Sequence, residues 1–250
     1  MFRRFVLSLL GAIGFIVISD FWESLRSRSH TITLTSKIIL LATFGGIAAG
    51  AGALYVEPSI AALPQKERLL TACFQSMTAA TTVGFNTHPI GVISPAFVLV
   101  VLILMILGAS PSGTGGGLKS TSWSAGLAAT WSVIRGRKET TFFGHTVPNY
   151  RMQAAFASFT LYLLVFSAGC FVLLLADKHR FEDVVFEAGS ALGTVGLSRG
   201  ITADLGITGK MIVILLMFIG RVGVISLALA TLAHGNTDNP DPRKKSDIVL

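Results

Sequence analysis

One internal repeat limits the folds open to this chain more than any other feature. Thr82-Val83-Gly84-Phe85 returns as Thr194-Val195-Gly196-Leu197, 112 residues further on. At the same offset, with no gap, Phe74 aligns with Phe186 and Ala79 with Ala191. Val101, Leu104, Met105 and Gly108 align with Val213, Leu216, Met217 and Gly220. Each copy follows a moderately apolar segment and precedes a long apolar one. Self-similarity at a fixed offset means one supersecondary unit built twice, so the chain is read as tandem units.

Composition says what surrounds those units. Hydrophobic residues make up 52% of the chain and charged residues 13%, with a mean hydropathy of +0.69. A soluble domain carries about a quarter charged residues. The 26 glycines suit membrane helices that pack closely or break. The chain therefore reads as an integral membrane protein. A net charge of +7 would also suit nucleic acid. Yet the basic residues fall between apolar runs, where the positive-inside trend places them, so no nucleic-acid partner is expected. Cys73 and Cys170 lie in apolar stretches and read as small core residues. No disulfide framework or metal spacing is present. His30, His88, His145, His179 and His234 are scattered and form no i, i+4 pair.

Thr-Val-Gly matters for its backbone. Consecutive carbonyls aimed at one axis replace the water shell of a small cation, as in potassium-channel filters. Glycine permits the dihedrals that aim them. A single copy is also an ordinary β-branched pair before a turn glycine. Two copies, each between membrane spans, favour an ion filter made of Thr82, Val83, Gly84 and Phe85 with Thr194, Val195, Gly196 and Leu197.

In order, residues 1–19 read as one short apolar helix, the final helix of a preceding unit. A basic pair and an apolar run also open a signal peptide, but no small-residue cleavage site follows. Residues 20–37 read as a cytoplasmic linker. Ile38 to Val56 is the first full span, with a face of small residues including Gly46 and Gly50. Arg68 to Ala80 is too short to cross, and reads as a re-entrant half-helix ending at the first filter copy. Irregular backbone at membrane depth must line a cavity or be buried, and a helix C-terminus presents about half a negative charge to a cation. The first unit is expected over 38–134. A cytoplasmic linker follows over 135–150 and the second unit over 151–233. Its half-helix runs from Phe186 to Gly193, and a cytoplasmic tail covers 234–250.

Inside the first unit, the apolar run from Ala96 to Leu107 breaks at Gly108-Ala109-Ser110-Pro111-Ser112-Gly113-Thr114-Gly115-Gly116-Gly117-Leu118-Lys119. A phosphate-binding loop is disfavoured because Leu118 intervenes before the lysine. A surface linker remains a second reading. The favoured one is an unwound segment at membrane depth that moves and obstructs a pore. In the second unit Arg221 interrupts an apolar span, where a charge costs about 3 kcal/mol on insertion scales. It lies too deep to snorkel easily, so it is expected to face a wet cavity at the depth of the loop.

These stretches together resemble the Trk/Ktr/HKT superfamily of potassium transporters, most closely its bacterial KtrB-type subunits. The resemblance is carried by Phe74-Gln75-Ser76 with residues 82–87, by 108–119, by 193–197 and by 215–223. It implies four membrane helix–pore loop–membrane helix repeats around one pore, with Gly84 and Gly196 as two of four filter glycines. It also implies an intramembrane gate loop (Gly108, Ser110, Ser112, Gly113, Thr114, Gly115, Gly116, Gly117, Lys119) facing Arg221. The further implications are a homodimer in the bacterial cytoplasmic (inner) membrane and a cytosolic nucleotide-binding regulatory subunit of KtrA/TrkA type. Potassium at the filter is the only metal and no cofactor is implied; the resemblance leaves room for a sodium dependence.

The fold class is thus all-α integral membrane, with two tandem potassium-channel-like repeats and a partial N-terminal helix. The function read from it is potassium uptake, by a fragment lacking two of four repeats. A non-conducting membrane scaffold or regulatory remnant is the alternative. An enzyme is disfavoured, since no nucleophile–base pair or cofactor motif appears.

Overall fold

The computed structural model describes residues 2–26, 32–137 and 139–232. Helices dominate it. The first two, α1 (Phe2–Ile13) and α2 (Phe15–Arg26), meet at Gly14 with a bend of 91°. The single short helix expected over 1–19 is corrected on this point. Gly14 has φ +79°, which a right-handed helix cannot pass through. The chain then continues helical well past residue 19. Asp20 on α2 accepts from the hydroxyls of Thr33 and Ser36, and Thr33 caps α3 (Leu34–Tyr55) by accepting from the Ser36 amide. Much of the linker expected over 20–37 is therefore ordered helix and cap; its residues 27–31 lie outside the described residues.

Glu57 caps the short α4 (Pro58–Ala61), and α5 (Gln65–Ala80) follows. A 3-10 turn over Ile90–Val92 leads to α6 (Pro95–Leu107), and the chain resumes as α7 (Ser120–Ile134). Next comes a departure from an all-helical chain. Strands β1 (Thr141–Phe142) and β2 (His145–Thr146) pair antiparallel. Phe143 and Gly144 between them have φ +47° and +79°, the signs a tight type I′ hairpin needs. After α8 (Asn149–Ala176) come α9 (Phe181–Leu192), α10 (Ile207–Val222) and α11 (Val224–Leu232). The expected half-helix from Phe186 begins five residues earlier, because Glu182 and Asp183 favour a first helical turn. The apolar span that holds Arg221 is broken at Gly223, φ +91°. Lys138 and the tail over 234–250 lie outside the described residues.

Helices α3 and α8 are long and apolar enough to cross a membrane, and the bent α1–α2 pair is a third candidate. At 13 residues, α6 reaches only about 20 Å. The repeat is visible in the element boundaries: α5 and α9 end 112 residues apart, and α6 and α10 begin 112 apart. Phe74 and Phe186, Val101 and Val213, and Leu104 and Leu216 are buried in both copies. Each repeat builds its own apolar core. One gathers Leu54, Phe74, Met77 and Met105; the other gathers Leu173, Val184, Leu192 and Leu216. Phe186, Val195 and Leu197 cross over into the first core and join the two.

Candidate functional site

Both Thr-Val-Gly segments emerge from helices that end in the same way. At the end of α5 the Thr82 amide donates to the Ala79 carbonyl (3.2 Å) and the Val83 amide to that of Thr78 (3.1 Å). At the end of α9 the Thr194 amide donates to Ala191 (3.0 Å) and the Val195 amide to Ser190 (2.9 Å). This pair of bonds is the Schellman motif, whose left-handed position is usually glycine. Here it is threonine, with φ +55° at Thr82 and +51° at Thr194. For a β-branched residue that conformation is an outlier. Two residues on, Gly84 and Gly196 again have positive φ, +78° and +89°. Two separate segments therefore share one sequence of backbone states.

The segments touch. A Cβ on Gly84 would overlap the Val195 carbonyl oxygen. Val195 and Leu197 are buried while Phe85 is exposed. The C-terminal ends of α5 and α9, with their partial negative charge, both lead into this region. A cavity of about 630 Å³ lies beside the second segment, between Glu187, Thr194, Gly196, Met217 and Arg221.

The glycine-rich loop between α6 and α7 packs against the threonines. Its base is closed by the Leu118 amide donating to Ile106 (2.9 Å) and the Ser120 amide to Ala109 (3.1 Å). The Gly116 amide donates to Thr82 Oγ1 at 3.2 Å. A side chain on Gly115 would collide with Thr82 Oγ1, and one on Gly116 with Thr194 Oγ1. Thr194 Oγ1 is buried and has no hydrogen-bond partner. Two cations hold the loop's carbonyls: Arg221 donates to Thr114, and Lys119 Nζ to Gly115 at 2.9 Å. Ser110 and Ser112 face each other through their hydroxyls at 3.2 Å.

The structure thus brings together Thr82, Val83, Gly84, Thr194, Val195, Gly196, the loop from Gly108 to Lys119, and Arg221. It leaves Phe85 at the edge. The sequence reading missed the α1–α2 bend as part of this site. The Ser110 and Thr114 amides donate to the carbonyls of Ala12 and Gly11 (3.1 and 3.0 Å), and a side chain on Gly14 would collide with Ser112. Gly11 and Gly14, two glycines in one apolar run, were the signal in the sequence. Among the described residues no three His, Cys, Asp or Glu side chains form a metal cluster.

Comparison with known proteins gives the family and the fold. Residues 3–239 match the TrkH family, described as cation transport protein. The chain is 33% identical over 227 residues to the Ktr system potassium uptake protein B of Vibrio alginolyticus, covering 89% of this chain and 50% of the relative. It is 36% identical over 232 residues to the Ktr system potassium uptake protein D of Bacillus subtilis, covering 90% and 51%. The crystal structure of the potassium transporter TrkH from Vibrio parahaemolyticus superposes with a TM-score of 0.72 at 18% identity, over 90% of this chain and 50% of that one. That likeness establishes the fold. The chain spans about half the length of the curated relatives it matches.

Proposed function

The chain belongs to the TrkH family of cation transport proteins, and we propose that its two Thr-Val-Gly segments line a selectivity filter through which potassium enters the cell. The observation that carries this reading is the matched backbone: positive φ at Thr82 and Gly84, and again at Thr194 and Gly196. Alternating backbone handedness turns successive carbonyls toward one side. Such carbonyls take the place of the ion's hydration shell. Strain held at two β-branched residues in matched places points to function rather than accident. The inward-negative potential contributes about 2.3 kcal/mol per charge per 100 mV to uptake.

Two segments line only part of a ring. The half-length match to the relatives supports a pore with four such segments, the others coming from further repeats or a second copy. In this reading α3–α5–α6 and α8–α9–α10 are the pore-loop repeats, and the chain crosses the bacterial inner membrane several times. The loop from Gly108 to Lys119 is the gate. It sits beneath the threonines, and Arg221 and Lys119 hold it there. A homodimer and a cytosolic nucleotide-binding regulatory subunit of KtrA/TrkA type complete the assembly.

Potassium flux through the native assembly reconstituted in liposomes tests the reading. Gly84→Ser and Gly196→Ser each place a side chain at positive φ, and Gly84→Ser also drives it into the Val195 carbonyl. Each variant is expected to lower potassium-over-sodium preference. Unchanged preference in both sinks the filter assignment.

A further inference from the structure

Residues 75 and 187 hold matched places on α5 and α9, and residues 86 and 198 hold matched places just beyond the two segments. In both repeats the first side chain reaches the second across 11 residues of chain. Gln75 Nε2 donates to Asn86 Oδ1 at 3.0 Å and to the His88 carbonyl at 2.8 Å. Its Oε1 accepts from the Thr87 amide at 3.4 Å. In the second repeat the Ser198 hydroxyl donates to Glu187 Oε2 at 2.8 Å and the Thr202 hydroxyl donates to Oε1. Gln75 and Glu187 are 1% and 5% exposed, so each brace starts from a buried side chain and reaches a partner nearer the surface.

The two struts differ in chemistry. A glutamine amide both donates and accepts, whereas a carboxylate only accepts. The second repeat accordingly supplies two hydroxyls where the first supplies an amide oxygen, a carbonyl and a backbone amide. Hydroxyls do not cancel a charge, and none of the described ion pairs includes Glu187. Glu187 also borders the cavity that Thr194 and Gly196 line. A fixed negative charge beside a low-dielectric path raises the local concentration of cations.

We propose that Gln75 and Glu187 are positioning residues that tie the end of each filter segment to its helix, and that Glu187 is also a specificity-determining charge that raises potassium occupancy at the second segment. The inference rests on the filter reading above. It assigns the two repeats unequal roles: a neutral brace in the first, a charged one in the second.

The test uses the native assembly in liposomes and compares Glu187→Gln, Glu187→Ala, Ser198→Ala and Gln75→Ala with Gly84→Ser and Gly196→Ser. Half-saturating potassium concentration and potassium-over-sodium preference are read separately. Glu187→Gln keeps a side chain able to bond Ser198 but loses the charge. It should retain preference while raising the half-saturating concentration about tenfold, the scale of a lost charged interaction. Gln75→Ala removes a brace and no charge, and should lower preference while moving half-saturation less than about twofold. Glu187→Ala should do both. Should Glu187→Ala fail to accumulate, Glu187→Gln and Ser198→Ala carry the test, because they keep the volume of residue 187. Ser198→Ala should lower preference in part. Wild-type half-saturation in Glu187→Gln overturns the charge role. Wild-type preference in Gln75→Ala and Ser198→Ala, with preference lost in the glycine variants, overturns the brace alone. Preference unchanged in the glycine variants as well means that the filter reading has failed.

Discussion

Thr82 and Thr194 hold the same strained backbone state, yet their hydroxyls differ. Thr82 Oγ1 accepts from the Gly116 amide, while Thr194 Oγ1 is buried without a partner. Replacing either with glycine relieves the same left-handed strain, so the backbone terms cancel in a comparison. What remains is the Gly116 amide, left unpaired in Thr82→Gly only. An unpaired buried donor costs about 1–3 kcal/mol. Thr194→Gly is therefore expected to be the more stable variant by about that amount, a gap of several degrees in a detergent melt of the native assembly. Equal or reversed melting temperatures contradict the assignment of the Thr82 hydroxyl to the loop. Neither difference was legible in the sequence, where the two copies of Thr-Val-Gly are identical. The repeat announced the segments; only the third dimension shows that one loop serves both threonines unequally.

Elements are joined at places where one polar side chain serves several of them. Glu57 is such a place: it caps α4 through the Ile60 amide (2.9 Å), accepts from the Ser59 hydroxyl, and accepts from the Ser94 amide at the start of α6 (3.2 Å). Burial pushes its carboxyl upward, but the Ser59 hydroxyl and the Ile60 and Ser94 amides outweigh that and hold it below its ordinary value of 4.5. A lowered carboxylate contributes stability that is fully present above the ordinary value and is lost as pH falls through the folded one. Acidification below pH 4.5 should therefore lower the melting temperature of the native assembly more than that of Glu57→Gln. Parallel acid profiles contradict this role. No local pattern around Glu57 gives a sign of Ser94, which lies 37 residues away. The α1–α2 bend escaped in the same way. Two glycines in an apolar run, Gly11 and Gly14, are compatible with a straight helix, and only the glycine-rich loop packed against Gly14 requires the turn.

At the scale of the molecule, two tandem repeats build two cores that meet through Phe186, Val195 and Leu197. This arrangement places two helix ends, two threonines and one loop in contact. Periodicity and composition made the repeats, the apolar helices and the break after Leu107 readable, because those are properties of neighbouring residues. The pairings of Gly84 with Val195 and of the loop with α1 are long-range, and no local pattern encodes them, whereas Arg221 is expected from the sequence at the depth of the loop. In the proposed filter, Thr82–Gly84 and Thr194–Gly196 coordinate the ion with their carbonyls. Crystals of the transport-active native assembly grown in rubidium in place of potassium test it most directly, by anomalous scattering. A rubidium peak is expected between the carbonyls of Val83 and Val195. Transport-active protein with no rubidium at those carbonyls, and ordered ions elsewhere along the chain, would contradict it.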